Sequence, residues 1–138
     1  MNGKHIKTLR VPILVVVAVL CGLILTTFTY AQNKQIKKLV GEWEMSTKGN
    51  PDNKRLIAFV ISGGEITGTY TTESGEKLPV TSIAFADGKY SFRVTGAELV
   101  FQDFKFVGRK LEGVKHRTAA EKGRSVPEVV QMVKKTNR

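Results

Sequence analysis

Cysteine is almost absent from this chain: among 138 residues only Cys21 occurs, so no intrachain disulfide can form and a thiolate metal cluster is excluded. Histidine is nearly as scarce. His5 and His116 are the only two, which leaves little material for a neutral-pH base or an imidazole-rich metal site. Acidic residues are outnumbered, 12 Asp+Glu against 22 Lys+Arg, for a formal net charge of +10. That surplus favours anionic partners without naming one. Tryptophan occurs once, as Trp43. Hydrophobic residues (41%) and charged residues (25%) are present in ordinary globular proportions, which excludes a disordered or polytopic membrane chain. The length suits one compact domain with an appendage.

The appendage is at the N-terminus. Lys4, Lys7 and Arg10 form a positive segment, and Val11 to Tyr30 carries no charged residue, the pattern of a targeting segment. Thr29-Tyr30-Ala31 places small residues three and one positions before a cut after Ala31, so cleavage there is the first expectation. The apolar stretch Val11 to Phe28 is 18 residues, long enough to span a bilayer, so a retained single-pass anchor is the alternative. Either way the domain is expected on the exported side, secreted or periplasmic after cleavage or tethered to the membrane through residues 11–30. Residues 32–40 read as a linker. Leu20 before Cys21 lacks the small side chain that lipoprotein processing requires.

After residue 31 the surplus of positive charge is C-terminal: residues 32–108 hold 10 basic and 9 acidic residues, whereas 109–138 hold 9 and 3. Arg109, Lys110, Lys115, Arg117, Lys122 and Arg124 are the candidates for contact with an anionic surface, either lipid, an acidic polymer or a protein. A solvated basic face is the plainer reading of the same charges. Nucleic acid is not an expected partner, since no recognition motif accompanies the export signal.

From Gly41 onward, short apolar runs alternate with turn residues: Asn50-Pro51-Asp52, Gly63-Gly64, Ser74-Gly75, Asp87-Gly88, Thr95-Gly96 and Gly108. Their spacing of roughly 8–13 residues suits antiparallel strands and is too short for β-α-β units. Strands are expected near 41–48, 54–62, 65–72, 78–86, 89–95, 97–107, 110–117 and 128–135. Asp87-Gly88 is the strongest hairpin signal, because a type I′ turn needs positive φ at both central residues. Period-two alternation puts Trp43 and Met45 on one face, and Tyr90, Phe92 and Val94 together on another. Leu99 and Phe101 have the opposite parity to Phe104 and Phe106, so a bulge near Gln102-Asp103 is expected. The last segment is ambiguous. Ser125-Val126-Pro127-Glu128 has capping-box spacing for a helix, but an eighth strand would close the sheet without an edge, and that reading is favoured. The expected fold is therefore all-β: an antiparallel up-and-down meander of about eight strands closing into a small barrel over residues 41–138.

No catalytic constellation stands out. His116, between Lys115 and Arg117, lacks an orienting carboxylate; Glu42 and Glu44 share the face opposite Trp43 and should be solvated. Ser62 and Ser74 lie beside turn glycines outside any Gly-x-Ser-x-Gly pattern. The expectation is a non-enzymatic protein without metal or cofactor. The inward aromatics, Trp43, Tyr70, Tyr90, Phe92, Phe101 and Phe104 or Phe106, either line a ligand pocket or simply fill the interior.

The opening Gly41-Glu42-Trp43, followed by a meander with glycine at its turns, resembles calycin-type barrels, the avidin and lipocalin families, and small exported bacterial domains of unknown function. Gly64-Glu65-Ile66-Thr67-Gly68-Thr69-Tyr70-Thr71-Thr72 is similar to the avidin strand that bears a ligand-contacting Tyr and Thr, which implies those roles for Tyr70 and Thr72. Where avidins carry polar contacts to the head of biotin, this chain has Met45 and Gly49, so the resemblance implies architecture and not that ligand. In lipocalin-like barrels a basic side chain from the chain end crosses the first-strand Trp, a role that would fall to Lys134 or Lys135. The sequence thus leads to a barrel for a small apolar or amphipathic ligand, with Trp43, Met45, Tyr70, Thr72, Tyr90 and Phe92 as candidate contacts. The alternative is an envelope interaction or structural module with a filled core and a basic C-terminal face.

Overall fold

The structure, a computed structural model, describes residues 32–118 and 126–136. Residues 1–31, where the targeting segment is expected, and Lys122 and Arg124 lie outside the described residues. Eight strands follow in chain order: β1 (Gly41–Thr47), β2 (Asn50–Ser62), β3 (Glu65–Thr71), β4 (Lys77–Ala86), β5 (Lys89–Val94), β6 (Leu99–Val107), β7 (Lys110–Arg117) and β8 (Glu128–Lys134). Each pairs antiparallel with its neighbour, and β8 pairs with both β7 and β1, so the meander closes into a barrel. The last segment is thus a strand. Closure satisfies the backbone donors and acceptors that an open edge would expose. No helix among the described residues is long and apolar enough to cross a membrane.

Alternation determines what the barrel encloses. Trp43, Met45, Ile57, Phe59, Tyr70, Tyr90, Phe92, Val94, Phe101, Leu111, Val130 and Met132 are all buried in one cluster. Phe92 stacks on Phe101 with centroids 4.7 Å apart and meets Phe59 edge-on at 5.4 Å, pairings each worth about 0.5–1.5 kcal/mol beyond their area. The interior is packed with side chains.

Bulges keep these residues facing inward. In β6 the register shifts between Gln102 and Lys105, and Asp103 takes φ 58°, so Leu99, Phe101 and Phe104 all reach the core despite their parity. In β4 the register shifts between Thr81 and Ala84, around Ser82 at φ 53°. Gly113 faces the ring of Phe104 so closely that a Cβ there would lie 2.2 Å from its Cδ2; only glycine fits beside that ring. Asp87 and Gly88 both have positive φ, 52° and 75°, as the tight hairpin demands.

Two segments differ from the sequence expectation. The turn expected at Asn50-Pro51-Asp52 is at Lys48-Gly49, with Thr47 opposite Asn50. Register then jumps to Met45 opposite Arg55, leaving residues 51–54 across from Ser46 alone. Pro51 has no N–H to donate and fits in that unpaired excess. Residues 32–40, expected as a linker, carry a short helix (α1, residues 32–37) followed by Leu39, which is fully buried in the barrel core.

Because the strands alternate in direction, the barrel has two distinct ends. Gly41, the β2–β3, β4–β5 and β6–β7 turns and the end of β8 form one. The β1–β2, β3–β4 and β5–β6 turns, the end of β7 and the start of β8 form the other.

Candidate functional site

The end containing Gly41 is closed by the chain itself. The Trp43 indole Nε1 donates to the Leu39 carbonyl at 2.7 Å, and the Tyr90 hydroxyl donates to the Gln35 carbonyl at 2.9 Å. These bonds hold residues 35–39 against the barrel and give both buried polar groups a partner, as burial requires. Burial raises the Tyr90 pKa above its ordinary value. Phe106 packs near both rings, 6.2 Å from Trp43 and 6.0 Å from Tyr90. Lys134 crosses Trp43 with its Nζ 5.5 Å from the ring centroid. Gly41 permits this: with φ 129°, a Cβ there would lie 2.6 Å from Lys134 Cε.

The opposite end is open. A cleft of about 810 Å³ enters there, lined at depth by Met45, Tyr70, Ala97 and Leu99, and toward solvent by residues including Lys48, Asn53, Arg55, Thr72, Lys115, Arg117 and Val129. Four of its side chains are cationic (Lys48, Arg55, Lys115 and Arg117) and two are carboxylates (Glu73 and Glu128), so the lining is net positive by two.

The geometry of those charges is asymmetric. Arg55 holds Glu73 at 2.6 Å with the Arg side chain 19% exposed and the Glu side chain 78% exposed; Lys115 holds Glu128 at 2.8 Å with 19% and 54%. The cations are therefore drawn inward while their carboxylates reach toward water. Arg55 also contacts the side chain of Asn53 and donates to the Lys54 carbonyl at 3.1 Å. Lys48 pairs with Glu112 at 3.2 Å, outside the cleft. At the floor, burial pushes the Tyr70 hydroxyl pKa up, and the positive charges of Arg55 and Arg117 pull against that shift. Tyr70 thus offers a neutral hydroxyl beside two guanidinium groups. A shallower depression of about 590 Å³ adjoins this site and shares Asn50, Asn53, Arg55, Thr72 and Glu73.

This arrangement separates the six residues first singled out as ligand contacts. Met45, Tyr70 and Thr72 line the cleft, although the Thr72 hydroxyl is engaged by Ser74 at 2.9 Å and the Glu76 amide at 3.1 Å. Trp43, Tyr90 and Phe92 are sealed in the packed interior. The basic residues separate as well: Lys115 and Arg117 face the cleft, whereas Arg109 and Lys110 sit at the opposite end of β7. Sequence reading missed Arg55 and Leu99. Arg55 has the parity of Ile57 and Phe59 and sits opposite Met45, so strict alternation along β2 would have turned it inward.

The cleft can bind charge and apolar surface together. No group of three or more His, Cys, Asp or Glu converges for a metal among the described residues. His116 does not line the cleft; its neighbours Lys115 and Arg117 do, on the other face of β7. No family model, curated protein or solved structure matches the chain.

Proposed function

We propose that the protein is an exported, non-enzymatic barrel of calycin type that binds a small amphipathic anion at its open end. The observation that carries this reading is the layered cleft: Met45, Leu99 and Tyr70 at its floor, with Arg55, Lys115 and Arg117 around it. An apolar tail would rest on the floor and leave its acidic head among the cations, of which Arg55 and Lys115, each with a side chain only 19% exposed, are partly desolvated and therefore interact more strongly than surface charges do. The calycin assignment draws on the Gly41-Glu42-Trp43 opening, the Lys134 side chain over Trp43 and the eight-stranded closure. Export rests on the N-terminal sequence pattern.

The test compares a medium-chain fatty acid with the alcohol of the same length. Binding is followed by the methyl NMR signals of Met45, Leu99 and Val129. The acid should shift these signals saturably and the alcohol should bind at least tenfold more weakly; Arg55→Met should reduce the difference. Equal, non-saturating shifts with both compounds would remove the case for an anion site. Native mass spectrometry of protein recovered from the cell envelope would identify any natural occupant.

The filled interior favours a second reading, an envelope interaction module that uses its charged surface. It predicts no saturable small-molecule binding and capture of an acidic partner through basic residues of the C-terminal part. In that case Arg109 and Lys110 serve a different surface from Lys115 and Arg117, since β7 separates the pairs by roughly 20 Å at the usual rise of a strand.

A further inference from the structure

The closed end of the barrel carries positive charge that ion pairs among the described residues do not neutralise. At the open end Lys48, Lys54, Arg55 and Lys115 each hold a carboxylate. At the closed end Lys89 and Lys135 are paired, with Asp103 and Glu42. Seven further cations there, Lys34, Lys37, Lys38, Lys105, Arg109, Lys110 and Lys134, are exposed and form no ion pair among the described residues, Lys134 resting instead over the Trp43 ring. Against them, among the described residues, stand two carboxylates at this end without an ion pair, Glu65 and Asp87. The same end exposes apolar side chains: Val60 and Ile61 in the β2–β3 hairpin, 54% and 44% exposed, and Phe106 and Val107 in the β6–β7 hairpin, 39% and 47% exposed. Paired hairpins with exposed apolar residues among unpaired lysines and arginines match the chemistry of a bilayer interface, where acyl chains meet anionic headgroups. The sequence adds an independent argument: the uncharged run Val11 to Tyr30 ends four residues before Lys34, the first of these cations.

We propose that the closed end docks on the headgroup layer of an anionic bilayer, with the β2–β3 and β6–β7 hairpins at the interface and the open cleft turned away from it. This surface is separate from the ligand cleft, and its function does not depend on whether the cleft binds anything. It also assigns Arg109 and Lys110 to lipid, and leaves Lys115 and Arg117 to the cleft. A cation near an anionic surface contributes about a fivefold gain in partitioning, so reversing three should reduce docking by at least a hundredfold.

The experiment uses the full chain reconstituted in phosphatidylglycerol vesicles and, separately, in phosphatidylcholine vesicles, both containing a headgroup-nitroxide lipid. In a Cys21→Ser background a fluorophore is attached at Val107→Cys, or at Glu76→Cys on the open end. The label at 107 should be quenched several-fold more in phosphatidylglycerol than in phosphatidylcholine, and high salt should abolish the difference. The label at 76 should show little quenching in either lipid. Lys105→Glu with Arg109→Glu and Lys110→Glu should return the label at 107 to its phosphatidylcholine level, with near-ultraviolet circular dichroism confirming that the barrel is intact. Equal quenching at 107 in the two lipids would mean that the N-terminal segment merely tethers the domain, and would overturn the proposal. Greater quenching at 76 than at 107 would overturn it by reversing the orientation. Should the triple variant unfold, the lipid and salt dependence of the two labels decides the matter alone.

Discussion

Replacing Trp43 with Phe tests the claim that the indole fastens the N-terminal segment to the barrel as well as filling its core. Three losses follow from the geometry. The smaller ring gives up roughly three heavy atoms of burial, about 2 kcal/mol. The Leu39 carbonyl, which accepts from Nε1 at 2.7 Å, is left without that donor, at about 1–3 kcal/mol for a buried group. The Lys134 ammonium, 5.5 Å from the ring centroid, loses part of an exposed cation–π contact of about 0.5–1 kcal/mol. Together they amount to about 3–5 kcal/mol, a large share of the stability of a domain this size. Urea unfolding followed by far-ultraviolet circular dichroism measures the total. Native-state hydrogen exchange then separates fastening from filling: the amides of Lys38, Leu39 and Val40, bonded to the carbonyls of Gln35, Ile36 and Lys37, should lose more protection than those of the distant β5–β6 pairing. Tyr90→Phe removes only the 2.9 Å bond to Gln35 and should cost about 1 kcal/mol. Because both side chains fasten the same segment, the double variant should cost less than the two singles combined. A Trp43→Phe cost below about 1 kcal/mol, or uniform loss of protection across the barrel, would refute the reasoning.

Gly113→Ala should destabilise the barrel by about 1–3 kcal/mol through overpacking against Phe104, because the added methyl meets that ring at 2.2 Å; Phe104→Leu in the same chain should recover part of the loss in a denaturation series. Gly41→Ala should cost about 1–3 kcal/mol from its φ of 129° and displace Lys134 from Trp43, read as a change in indole fluorescence. Tyr70 and Tyr90, both raised above their ordinary 10.0 by burial, should ionise later in the folded protein than in the urea-unfolded chain when absorbance is followed against pH. The unfolded chain releases those protons first, so between 10.0 and the raised folded values the native state binds more protons. Stability should therefore be intact below pH 10.0 and fall as pH rises through that window. Coincident folded and unfolded tyrosine titrations would contradict this.

The strands were legible because their signals are local. Parity assigned Trp43, Met45, Tyr90 and Phe92 to the interior, and the parity conflict between Phe101 and Phe104 located a bulge that the structure carries at Asp103. Asp87-Gly88 specified its own turn. The failures share a different cause. Pro51 marked a turn, but the chain turns two residues earlier and stores the proline opposite Ser46, since an unpaired excess accommodates a missing donor as well as a turn does. The docked segment 32–40 was illegible because its partners for Trp43 and Tyr90 are backbone carbonyls, at Leu39 and Gln35, which every residue possesses. The cleft was half legible. Tyr70 and Met45 followed from strand position, but Arg55 becomes a cleft residue only once closure of β1 against β8 brings Lys115 and Arg117 round to the same opening.

Packing through the middle of the barrel gives the two ends separate chemistry. Ile57, Phe59, Phe92, Phe101 and Phe104 are completely or almost completely buried between the Trp43 end and the Tyr70 end, so a ligand at the open end has no route to the indole. Tryptophan emission should accordingly stay constant while the cleft signals of Met45 and Leu99 shift with an amphipathic anion. The reverse should hold for Lys105→Glu with Arg109→Glu and Lys110→Glu, which changes lipid docking and leaves ligand affinity within about twofold, because sites that share no residues combine nearly additively. Should ligand addition change tryptophan emission at saturation, the core must rearrange during binding, and the two ends cannot be treated as independent surfaces of one rigid barrel.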